Sequence, residues 1–161
     1  METRMSDKKP TRFATIHLTV EREVPSAAEL PLQLKLLGLA DQTQEALWVI
    51  AYDSIQGIRT VVEVARGNYH SMDVSIPAVL SVPLLAACDR FEIAHNHPSG
   101  DVAPTVLDVD LTRKVMNAAN TCGLYFEDHI ILSPNGDYYS FFEAGLLGPG
   151  RTVSRVHKRA S

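Results

Sequence analysis

Apolar positions along this 161-residue chain change their period several times, and each change predicts a change of element. Phe13 to Val20, FATIHLTV, has the β-branched and apolar content of a strand, with His17 inside it as a strand histidine whose ring is satisfied rather than a ligand. Ser26-Ala27-Ala28-Glu29 resembles a capping box, and a helix carrying Leu32, Leu36 and Leu39 follows Pro31 and ends near Gly38. From Gln44 to Tyr52 the chain is almost unbroken in buried residue types. Asp53 to Gly57 punctuates it, and Ile58 to Ala65 returns with Val61, Val62 and Val64, so the pair reads as a hairpin. Ile76-Pro77 opens a helix with Val79, Leu80, Leu84, Leu85 and Cys88 apolar and a kink expected at Pro83. Phe91 to Ala94 is the next strand.

Thr105 to Asn120 has the clearest helical period, with Leu107, Leu111, Val115 and Ala118 on one face and Gly123 beyond its end. Leu124 to Phe126 and His129 to Ser133 read as two short strands. Pro134-Asn135-Gly136-Asp137 is a turn, and Tyr138 to Phe142 resumes as a strand. Helices alternating with hairpins place the chain in the α/β or α+β class, a mixed sheet flanked by helices. The polar start, residues 1 to 12, is expected to be disordered. Residues 13–145 then form one domain, and 146–161 a flexible basic tail.

Composition narrows the function classes. With 45% hydrophobic and 21% charged residues, the chain suits a single globular domain. Its net charge of −4 conceals an asymmetry: Arg151, Arg155, Lys158 and Arg159 crowd the last eleven residues, leaving eleven basic against nineteen acidic residues before them. So acidic a body disfavours nucleic-acid binding through the phosphate backbone. Cys88 and Cys122 lie in no CxxC pair, and both read as small core or near-core fillers with reduced thiols, which points to a cytoplasmic protein. No apolar run approaches the roughly twenty residues of a membrane span.

Chemistry concentrates in His95-Asn96-His97-Pro98-Ser99-Gly100-Asp101, followed by Thr105 and Asp108. Two histidines one residue apart at the end of a strand project to the same side, since side chains alternate with a period of two. Asp108 is brought back by the Pro- and Gly-rich loop. Two histidines and one carboxylate leave a coordination position open for water, the pattern of a catalytic rather than a structural zinc site. Thr105-x-x-Asp108 also reads as a helix start, with Asp108 facing the helix dipole, and the two roles are compatible.

From His95 to Asp108 the chain resembles the JAMM signature of the JAB/MPN metalloproteases: His-x-His, seven residues, Ser, two residues, Asp, with Thr105 in the place of Ser. HNHPSGD, the later Asp128-His129-Ile130-Ile131 and Tyr139-Ser140-Phe141 look like the RadC branch of that superfamily. The resemblance covers roughly residues 40 to 145. It implies a JAB/MPN fold holding one zinc through His95, His97 and Asp108, and hydrolysis of a peptide or isopeptide bond in a peptide or protein conjugate. It also implies an upstream glutamate that shuttles the proton of the attacking water; Glu45 matches by order and context, and Glu63 is the second candidate. Thr105, like the signature Ser, would donate to the oxyanion of the substrate carbonyl. Asn96 and Asp101 are expected either to support the ligands or to fix the loop. RadC-like proteins are traditionally linked to DNA repair, but only about forty residues precede Glu45, too few for the helix-hairpin-helix segment common in that branch. A non-catalytic binding module is the third reading. The sequence specifies neither oligomeric state nor substrate.

Overall fold

The strand Glu45–Asp53 is apolar on both faces because it lies in the middle of the sheet and is covered from both sides. The computed structural model describes residues 15–16, 34–35, 37–53, 57–67 and 74–147. The order of its elements is β1 (Thr15–Ile16), β2 (Glu45–Asp53), β3 (Gly57–Gly67), α1 (Ile76–Leu85), β4 (Arg90–Asn96), α2 (Val106–Thr121), β5 (Tyr125–Leu132) and β6 (Tyr138–Ser140). The strands form one mixed sheet in the order β1-β3-β2-β4-β5-β6. Among the described residues only β4 and β5 run parallel, joined by the crossover helix α2, and every other neighbouring pair is antiparallel. The expected α+β class and the β2–β3 hairpin are therefore present. The polar start, His17, the 26–33 helix start and the basic tail lie outside the described residues.

Alternation along β2 divides the core. Leu47, Val49 and Ala51 pack with Val79 and Leu80 of α1 and Val115 and Ala119 of α2. Ala46, Trp48, Ile50 and Tyr52 pack on the other face with Leu34, Leu39 and Ala40. Pairing of Leu47 with His95 and of Val49 with Ile93 puts His95 on the helix-bearing face.

Four expectations need correction. The two short strands are one, β5, because the charges that interrupt the pattern are buried and partnered: Arg90 Nη1 donates to Glu127 Oε1 at 2.5 Å, and Ser140 donates to Asp128. The β4–β5 register slips there, between Phe91 and Ile93. In α2 the buried face is Asp108, Thr112, Val115 and Ala119, while Leu107 is exposed, so the helix is rotated about its axis from the orientation its leucines predict. Similarly, Leu84 and Leu85 of α1 are exposed and Val82 and Pro83 buried. Cys88 is buried as expected, but Cys122 caps the C-terminus of α2 and is exposed. No helix among the described residues is long and apolar enough to cross a membrane.

Candidate metal centre

Three elements, β2, β4 with the residue just beyond it, and α2, deliver four donor side chains to one point. Glu45 opens β2, His95 stands near the end of β4, His97 follows it, and Asp108 lies in the first turn of α2. All four are buried, and one ligand atom from each lies within 4.8 Å of those of the others. His95 Nε2 is 2.9 Å from His97 Nε2, 3.2 Å from Asp108 Oδ1 and 3.8 Å from Glu45 Oε1; His97 Nε2 is 3.7 Å from Asp108 Oδ2. Glu63 is elsewhere, half-buried on β3 and paired in fork geometry with Arg66 at 2.6 and 2.7 Å.

Asp108 is oriented by the helix start itself. Thr105 is the N-cap: its backbone N–H and its hydroxyl both donate to Asp108 Oδ2 at 2.7 Å, and the hydroxyl oxygen accepts from Asp108 N at 3.2 Å. Burial alone would raise the Asp108 carboxyl, but the neighbouring His95 and the two Thr105 bonds outweigh it and hold it well below the usual carboxylate range. The Thr105 hydroxyl expected to meet the substrate is thus committed to the Asp108 carboxylate in this structure.

Each histidine is anchored through Nδ1. His97 Nδ1 lies 2.6 Å from the carbonyl oxygen of Asp101, which can only accept, so Nδ1 carries a proton and Nε2 is the nitrogen turned toward the other donors. Gly100, at φ +87°, allows the turn that presents this carbonyl, and its N–H donates to His97 O at 3.0 Å. His95 Nδ1 meets His129 Nε2 at 2.8 Å. His129 is fully buried and stacked on Phe141, with ring centroids 4.9 Å apart. Burial first, and then the neighbouring imidazoles, keep it neutral by lowering its pKa.

Asn96, between the two histidines, points to the opposite face. Its Oδ1 accepts from Ala46 N at 2.9 Å and its Nδ2 donates to the carbonyls of Gln42 and Gln44 at 3.1 Å, bracketing Glu45. An open cleft of about 390 Å³ borders the centre, walled in part by Glu45, Gly67, His97, Ser99 and Asp101. Asp101 serves the loop as well, accepting from Ala103 N at 2.9 Å.

This donor set suits a cation. Imidazole lone pairs and an ionised Asp108 carboxylate converging within 4.8 Å of one another repel unless a positive charge lies among them. Two nitrogens and one or two carboxylate oxygens are ordinary zinc ligands. Sequence reasoning did not identify His129 and Thr112 as supports, although His129 lies in the Asp-His-Ile-Ile string and Thr112 is a polar break in an apolar helix face.

The model of the RadC-like JAB domain matches residues 25–146. A UPF0758 protein of Porphyromonas gingivalis is 32% identical over 151 residues, covering 86% of this chain and 66% of that protein. One from Trichlorobacter lovleyi is 33% identical over 109 residues, covering 68% and 47%. One from Latilactobacillus sakei is 24% identical over 147 residues, covering 91% and 61%. The chain spans about half to two thirds of the length of these relatives.

Proposed function

Because the chain belongs to the family of RadC-like JAB domains, we propose that it is a zinc-dependent hydrolase of peptide or isopeptide bonds. The observation that carries the reading is the buried Glu45, His95, His97 and Asp108 cluster beside an open cleft. His95, His97 and Asp108 hold the ion, one per chain. A zinc ion there supplies a Lewis acid and a water whose pKa falls to about 7.

Glu45 Oε1, 3.8 Å from His95 Nε2, borders the ligands from the cleft side. Its carboxylate takes the proton of the attacking water and returns it to the leaving amine, a transfer worth about 10²–10⁴-fold in rate. Asn96 keeps the backbone on both sides of Glu45 in place. Thr105 orients Asp108; donation to a substrate carbonyl would require its hydroxyl to leave that carboxylate. The cytoplasm is the proposed compartment.

The test is a Glu45→Gln variant assayed beside the wild type for zinc content and for cleavage of short peptides and ubiquitin-like conjugates. The expected result is one zinc per chain in both, with cleavage lost at least about a hundredfold in the variant. A folded wild type that binds no zinc would overturn the proposal. Zinc binding without turnover on a broad panel would replace it with a non-catalytic binding module.

A further inference from the structure

The two histidines are anchored by different kinds of partner. His97 gives its Nδ1 proton to a carbonyl oxygen, which fixes the tautomer of its neutral ring. His95 faces another imidazole, and an imidazole nitrogen can either donate or accept. The choice is made one step further back. Thr112 Oγ1 lies 2.6 Å from Asp108 O and 2.6 Å from His129 Nδ1. The carbonyl can only accept, so the single hydroxyl proton of Thr112 goes to it. The hydroxyl oxygen must then accept from His129 Nδ1–H, which leaves His129 Nε2 bare to accept from His95 Nδ1–H. The Nε2 of His95 is then the lone pair directed at Asp108, His97 and Glu45.

We propose that Thr112 and His129 are positioning residues that set the tautomer of His95 and through it the affinity of the centre for zinc. The inference rests on the proposed zinc site, but it also governs the metal-free protein. Neither residue is one of the four donors. Thr112 begins its chain at the backbone carbonyl of Asp108, itself a proposed ligand, so the turn that offers a carboxylate to the ion also determines which nitrogen His95 offers. Phe141 fixes the plane of the His129 ring, being stacked within 8° of parallel.

Thr112→Val and Thr112→Ser separate this role from packing. Valine keeps the shape and loses the hydroxyl; serine keeps the hydroxyl and loses the methyl. Two readouts are needed: zinc affinity by competition with a chromophoric chelator, and histidine tautomers in the metal-free protein from two-bond 1H–15N correlation spectra, with thermal unfolding confirming that both variants fold. The expectation is a His95 proton on Nδ1 in the wild type and in Thr112→Ser. In Thr112→Val a population with the proton on Nε2 is expected, with zinc affinity about 10–100-fold weaker, the usual effect of losing such a support. Thr112→Val with wild-type affinity and tautomer, or Thr112→Ser weakened as much as Thr112→Val, overturns the inference. If the wild type binds no zinc, the proposed function fails, and the spectra alone decide the relay: a His95 ring protonated on Nε2 and not on Nδ1 overturns it.

Discussion

Replacing Asn96 by alanine asks whether Glu45 is held by side-chain hydrogen bonds or by strand pairing alone. The β2–β4 register ends at Leu47 and His95; beyond it the Asn96 side chain stands in for a backbone, taking Ala46 N–H at 2.9 Å and giving its amide protons to Gln42 O and Gln44 O at 3.1 Å. Asn96 and Ala46 are both 0% exposed. Truncation leaves the Ala46 N–H without its acceptor, which costs about 1–3 kcal/mol. Gln42 is half-buried and Gln44 exposed, so water replaces much of what their carbonyls lose, at up to about 1 kcal/mol together. The expected loss is about 1–4 kcal/mol. At roughly 4 °C per kcal/mol for a domain of this size, calorimetry should place Tm about 4–16 °C below wild type. Zinc affinity should change only a few-fold, since His95, His97 and Asp108 keep their own anchors, whereas cleavage should fall because the carboxylate proposed to move protons has lost its support. A variant melting within about 2 °C of wild type with unchanged turnover would refute the reasoning.

Other consequences are open to measurement. Thr105→Ala should cost about 0.5–2 kcal/mol in denaturant unfolding and weaken zinc binding, because the N-cap and the orientation of Asp108 are lost together, while Thr105→Ser should restore both. Asp128, whose carboxyl burial pushes up to about 6 despite bonds from Ser140, Phe142 N and His129 N, should cost the fold stability once ionised. Its folded pKa exceeds the ordinary 3.8, so its contribution is complete below that value and is lost as pH rises through about 6, a change on the order of 3 kcal/mol. Buried neutral His129 acts in the opposite sense below 6.5, so the test is the difference between the stability curves of wild type and Asp128→Asn, which should widen in the variant's favour as pH rises from 4 to 7. Zinc at about a hundred times its Kd should stabilise the wild type by about 2.7 kcal/mol, and His97→Ala should lose most of that gain while remaining folded.

Much of the centre could be read before folding was known, because its parts have local signatures. His-x-His at a strand end and a capping box at a helix start require only period and spacing. Glu45 could be named from order and context, but its approach to His95 depends on β2 pairing with β4, which no local pattern reveals. The rotation of α2 escaped for a related reason. Its leucines outvoted Asp108 and Thr112 in a hydrophobic count, whereas the folded helix turns those two polar groups inward because His95, His97 and His129 await them. Glu127 and Asp128 looked like a strand break because charges are rarely buried. Their partners, Arg90 and Ser140, belong to other strands. Cys122 was misplaced because its role is to end a helix, not to fill the core.

The capping box at the start of α2 has a consequence for the order of assembly. His95, His97 and Asp108 lie close together in the chain, and the turn that begins the helix also orients the last of them; Glu45 joins only when a strand from much earlier in the chain closes against β4. During folding, the residues assigned to grip the ion can therefore come together before the one assigned to move protons. On the proposed function, a nascent chain holds three of the four donors before the sheet is complete, and closing the β2–β4 seam, which brings Glu45 to them, acts as the safety catch of the molecule.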